Sequence, residues 1–228
     1  MAGPLIFCAL DVPARASAVS QARALIGAVD GLKLGLEYFC AEGPAGVAAV
    51  AGLGLPLFLD LKLHDIPNTV AGALRAVRPL QPAFVTVHCA GGPAMVQAAV
   101  DAVAGTQIKL LGVTVLTSLD DADLADIGVT ATPADQVRRL AELGVAHGLH
   151  GLVCSPAEVA LLRRTVGPAS VLAVPGIRPS GTPAGDQKRV MTPGQAAAAG
   201  ADLLVIGRPI TQAGDPAAAA QAIRAELV

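Results

Sequence analysis

Residues 58–70 read FLDLKLHDIPNTV. An apolar run acquires Asp60 and Lys62 two positions apart and meets Asp65 three positions later. Side chains along a strand alternate faces, so Asp60 and Lys62 share one face while Leu59, Leu61 and Leu63 share the other. A central strand of a parallel sheet is normally dry on both faces. Buried charge without a partner is expensive, so these groups must neutralise one another or serve a ligand. A helical stretch begins near residue 68, which makes the segment one strand–helix unit.

The same unit repeats on both sides of it. Short apolar runs fall at 4–10, 31–36, 56–61, 83–88, 108–114, 148–153, 170–174 and 202–206. Ala-rich helical stretches lie between and after them, at 14–28, 42–53, 68–78, 92–104, 133–143, 155–165, 192–199 and 215–226. Eight such units without a dividing linker predict an α/β fold, a (β/α)8 TIM barrel forming a single domain over residues 1–228. A doubly wound sheet would open on a glycine-rich turn, and ALDVPARAS after the first run has none.

A barrel places its working residues at the strand C-terminal ends. Asp11, Lys33, Asp60, Lys62, His88, Thr117, Ser118, Arg178, Gly207 and Arg208 all lie at or just beyond such ends, whereas the opposite ends hold mostly Gly, Pro and Ala. Residues 175–193, PGIRPSGTPAGDQKRVMTP, form a connection much longer than the usual two to six residues or so. Its place after the seventh strand predicts a mobile loop that closes over a phosphate. Arg178 and Arg208 offer guanidinium forks at adjacent strand exits, and Gly207 lets an anion approach the backbone, so a phosphorylated small molecule is the ligand class indicated. The acids and lysines by themselves leave other readings open: a closed structural network, a divalent metal site near His88, or a Schiff-base lysine at Lys62 or Lys33.

Composition narrows the partners. Hydrophobic residues make up 53% and charged residues 15%, with net charge −2, no Trp and one Tyr, so neither a basic footprint nor stacking platforms for nucleic acid are present. No apolar run is long enough for a membrane span, and MAGPLIFCALDVP reads as a first strand rather than a leader. Cys8, Cys40, Cys89 and Cys154 lack metal-type spacing, and three of them fall in or beside apolar strands, as thiols of a reducing cytoplasm do.

DLKLHDIPNT at 60–69 resembles the signature of the orotidine 5′-phosphate decarboxylase family. The resemblance continues in LD at 10–11, KLG at 33–35, VTVLTS at 113–118, PGIR at 175–178, DQKRV at 186–190, TP at 192–193 and IGRPI at 206–210. The Asp-x-Lys-x-x-Asp core is shared with related sugar-phosphate decarboxylases and synthases; Ile-Pro-Asn-Thr and Asp-Gln-Lys-Arg narrow the match. The resemblance implies decarboxylation of orotidine 5′-phosphate to uridine 5′-phosphate and CO2, the last step of de novo pyrimidine nucleotide synthesis, without cofactor or metal. It implies catalytic roles for Lys62 as proton donor to C6, Asp60 against the substrate carboxylate, Asp65, and Lys33 as a tie in the charge network. Asp11 and Lys33 resemble ribose contacts, Thr117 with Ser118 the pyrimidine-reading position, and Gln187, Gly207 and Arg208 the phosphate grip, joined by Arg178. Ile66 and Pro175 match further substrate-binding positions. A homodimer is implied, in which Asp65 and Thr69 reach the partner's site. The alternatives are a Mg-dependent sugar-phosphate decarboxylase or synthase, and a non-catalytic phosphate-binding barrel.

Overall fold

The computed structural model describes residues 3–179 and 191–227. Eight parallel strands close on themselves in sequence order: β1 (Leu5–Ala9), β2 (Gly31–Gly35), β3 (Leu57–Leu63), β4 (Phe84–His88), β5 (Lys109–Val113), β6 (Gly151–Val153), β7 (Val171–Val174) and β8 (Leu203–Ile206). The helices that return the chain are α1 (Arg15–Ala24), α2 (Leu36–Ala51), α3 (Pro67–Val77), α4 (Gly92–Val103), α5 (Asp121–Asp126), α6 (Pro133–Ala146), α7 (Val159–Val166), α8 (Pro193–Ala199), α9 (Arg208–Thr211) and α10 (Pro216–Ala225). This is the (β/α)8 barrel that the repeating pattern predicts.

Several helix starts are written in the sequence. Thr132, Thr192 and Asp215 each precede a proline and accept a backbone N–H from the first turn of α6, α8 and α10. Proline loses nothing at a position whose N–H has no helical partner. Elsewhere the boundaries move. The run at 42–53 is the second half of α2, which already starts at Leu36 and kinks at Gly43, φ +59°, ahead of Pro44. A proline signals a helix start, and here it restarts a helix rather than opening one. The sixth run shrinks to Gly151–Val153, because α6 extends to Ala146 and the Leu149 amide still bonds back to the Gly144 carbonyl. α5 is too short for periodicity to reveal; its signal was the Asp120–Asp123 capping box.

The apolar residues divide into two layers. Outward-facing strand residues such as Ile6, Leu32, Leu59, Val85, Leu110 and Leu204 pack under the helices. Inside the barrel, Phe7, Phe58 and Phe84 meet edge to face, with centroids 5.7–6.5 Å apart, and Leu111, Ala173, Leu203 and Val205 complete a plug. The aromatic plug is the floor on which the site above it rests.

Charges are not confined to the C-terminal rim. Asp30, just before β2, accepts the Ile6 N–H at 2.7 Å and pairs with Arg224 at 2.9 Å. Asp202, just before β8, accepts the Leu172 N–H at 2.7 Å and pairs with Arg163. Arg163 also donates to the carbonyls of Gly167, Ser170 and Gly200. These groups satisfy strand and helix ends at the lower rim, a structural use of charge that the predicted Gly, Pro and Ala character of that rim did not include.

Candidate active site

A cavity of about 240 Å³ opens at the C-terminal rim. Asp11, Lys33, Asp60, Lys62, Thr117, Pro175, Arg178, Gly207 and Arg208 line it, so residues from six of the strand exits converge as predicted. Apolar residues that the sequence reading left unassigned, Phe58, Val113, Val115, Leu116, Val153 and Val205, form its wall. Strand alternation held the signal for them: Val113, Val153 and Val205 share the inward parity of their strands.

Asp60 is the electrostatic centre. Its Oδ2 lies 2.7 Å from the Lys62 Nζ and 3.7 Å from the Lys33 Nζ, and Lys33 reaches the Asp11 Oδ1 at 3.1 Å. Only 15% of the Asp60 side chain and 10% of the Lys33 side chain are exposed, against 31% for Lys62. The ammonium of Lys62 therefore borders both the buried carboxylate and the open cavity. Burial pushes the Asp60 carboxyl up, but the two ammoniums, with hydrogen bonds from Lys62 and Thr86, outweigh it and hold Asp60 below the ordinary carboxylate range.

The backbone is bent to achieve this. Lys62 has φ +48°, in the left-handed region, at a cost of about 1–3 kcal/mol for a non-glycine residue. β3 pairs with β4 at Leu59–Val85 and next at Leu63–Val87, so the register slips across Asp60–Lys62. The extra residues of β3 bulge there without undoing the alternation, since Asp60 and Lys62 both still face the cavity, as the sequence pattern predicts. Thr86, fully buried on β4, contacts both residues there. Its hydroxyl between the two valines of FVTVH was the signal available for it.

The other predicted residues stand apart. Asp65, Ile66 and Thr69 are exposed at the entry to α3; the Asp65 Oδ1 accepts the Ile66 N–H at 2.7 Å, and Ile66 is 67% exposed. Ser118 is exposed and outside the cavity lining, where its neighbour Thr117 takes the inward place. Gln187 and most of the 175–193 loop fall outside the described residues; at the loop's base Ile177 bridges to Met191 and the Arg178 N–H bonds the Met191 carbonyl at 3.0 Å. His88 stacks on His64, centroids 5.1 Å apart, and burial, then His64 and Lys62, hold it below the usual imidazole range, with Asp60 opposing. Among the described residues no group of three or more His, Cys, Asp or Glu is arranged around a common metal position. Cys154 lines the cavity as a protonated thiol, its ionisation opposed chiefly by burial.

Comparison with known proteins agrees with this geometry. Orotidine 5′-phosphate decarboxylases from Thermobifida fusca and Sphingopyxis alaskensis are 57% and 55% identical, the first across 100% of this chain and 97% of its own, the second across 97% and 98%. The crystal structure of the orotidine 5′-phosphate decarboxylase from Lactobacillus acidophilus superposes with a TM-score of 0.83 at 36% identity, covering 99% of both chains. No helix among the described residues is long and apolar enough to cross a membrane. The model of the orotidine 5′-phosphate decarboxylase / HUMPS family matches residues 4–223, and with the acid–lysine array set at the mouth of a closed barrel the chain belongs to that family.

Proposed function

We propose that the chain decarboxylates orotidine 5′-phosphate to uridine 5′-phosphate, and that Lys62 delivers the proton. The observation that carries this is the Lys62 ammonium, held 2.7 Å from a buried carboxylate while facing the cavity. The bond between C6 and the carboxylate breaks, its electron pair stays on C6, CO2 leaves, and a proton passes from the Lys62 Nζ to C6. The ring offers that electron pair no ordinary delocalisation, so stabilisation comes from charge already in place, at little reorganisation cost. Asp60 faces the departing carboxylate, and their repulsion disappears as CO2 forms.

Arg178, Arg208 and the Gly207 amide take the phosphate, Thr117 and Pro175 the pyrimidine end, Asp11 and Lys33 the ribose hydroxyls. The exposed Asp65, Ile66 and Thr69 suit a homodimer in which each subunit completes the other's site, Asp65 extending the charge array. Three buried free thiols suit a reducing cytoplasm. The test is loss of orotidine 5′-phosphate absorbance with excess EDTA and no added metal. Turnover under those conditions supports the reading. Absence of turnover restored by Mg²⁺ with a sugar phosphate replaces it with the related synthase activity, and phosphate binding without turnover of either substrate replaces it with a binding protein.

A further inference from the structure

The bulge in β3 leaves the Lys62 N–H without its ladder partner, and Thr86 supplies one. The Lys62 N–H donates to the Thr86 Oγ1 at 2.8 Å, and that hydroxyl donates its single proton to the Asp60 Oδ1 at 3.0 Å. The other Asp60 oxygen accepts from the Lys62 Nζ at 2.7 Å. These three bonds close a ring from the Lys62 backbone through Thr86 and Asp60 to the Lys62 ammonium. The direction of the ring follows from valence: an ionised carboxylate only accepts, so the hydroxyl must donate to it and take the N–H with a lone pair. Thr86 is fully buried and does not line the cavity, so it cannot touch a ligand there.

We propose that Thr86 is a positioning residue, whose hydroxyl locks the Asp60 carboxylate and the Lys62 backbone into one unit and so sets where the Lys62 ammonium stands. Without it the Asp60 carboxylate loses the bond that fixes its rotation, and the left-handed Lys62 loses the acceptor that holds its N–H. The inference rests on the decarboxylase reading for its kinetic consequence, though not for its structural one.

The experiment compares Thr86→Val, which keeps the shape and removes the hydroxyl, with Thr86→Ser, which keeps the hydroxyl. With orotidine 5′-phosphate, T86V is expected to lose about a hundredfold in kcat, as small misplacements of reacting groups do. Its KM should move by less than about threefold, because the phosphate contacts are untouched. T86S should recover most of the rate. The acid limb of the pH profile should also shift upward in T86V alone, since Asp60 then lacks one hydrogen bond that favours its ionised form while Lys33 and Lys62 still face it. Wild-type kcat in T86V, an unmoved acid limb, or T86S as impaired as T86V would each overturn the proposal. If T86V does not fold, Thr86→Cys, of similar size and weaker hydrogen bonding, takes its place with the same expectations. If the wild type itself shows no turnover, the decarboxylase reading fails and the ring is judged by crystallography of T86V. Lys62 back in the extended region supports the proposal, and Lys62 still left-handed with both Asp60–lysine contacts kept refutes it.

Discussion

Lys62 is the residue on which the proposed chemistry turns, and its isolation from the core makes it testable. About a third of its side chain is exposed, and Asp60 keeps Lys33 as a second cation when Lys62 is removed. Lys62→Ala is therefore expected to lower turnover about a thousandfold or more while leaving the circular dichroism melt largely in place. Near-normal turnover in that variant would remove Lys62 as proton donor. Arg208 also lines the cavity, and its proposed place in the phosphate grip is tested by separating binding from chemistry. Arg208→Ala is expected to raise KM about tenfold to a hundredfold, the worth of one charge-assisted hydrogen bond, with kcat changed far less. An unchanged KM would take Arg208 out of the phosphate grip.

At the level of elements, the strands carry two jobs on two faces, and β2 shows how little slack that leaves. A Cβ on Gly31 would stand 2.3 Å from the Phe7 ring and 2.7 Å from the Pro56 carbonyl. Phe7 cannot yield freely, because it packs edge-on to both Phe58 and Phe84. Gly31→Ala is expected to cost about 1–3 kcal/mol of stability by overpacking, read from the urea midpoint. An unshifted midpoint would mean that the aromatic plug is looser than its geometry indicates. Phe58 is both plug and cavity wall, so the plug and the site share a side chain two residues before Asp60.

For the whole molecule, stability and assembly give the remaining tests. Asp60 has its folded pKa depressed, so its contribution is complete above the ordinary carboxylate value and is lost as pH falls through the folded one. His88 also has its folded pKa depressed, but there the neutral form is the favoured one. The unfolded chain takes up the proton first, so destabilisation begins as pH falls below about 6.5, the ordinary imidazole value. The urea midpoint should therefore decline in two acid stages. Burial, then Lys109, also hold His150 below the usual imidazole range, so His88→Gln should shrink the upper stage and His88→Gln with His150→Gln should erase it; an upper stage unchanged by His88→Gln would remove His88 from it. If each site joins Lys62 of one subunit to Asp65 of the other, mixing inactive Lys62→Ala and Asp65→Ala dimers under exchanging conditions should restore about a quarter of wild-type activity, from the statistical share of heterodimers with one intact site. No restoration in mixtures shown to exchange would place both residues within one subunit's function.

Order along the chain determined the barrel. Eight alternating apolar runs and helices, with polar residues at the C-terminal ends of most runs, have few other ways to bury themselves, and that pattern already named the charged and polar residues lining the cavity from Asp11 to Arg208, though not its apolar wall. What only the tertiary structure decided is how those residues meet. The slip of β3 against β4, the left-handed turn at Lys62 and the hydroxyl of Thr86 between them depend on two strands 24 residues apart being hydrogen-bonded side by side. The same holds for the Gly31–Phe7 contact and for the lower-rim pairs of Asp30 and Asp202, since local periodicity records which face a residue takes but not which neighbour it finds there.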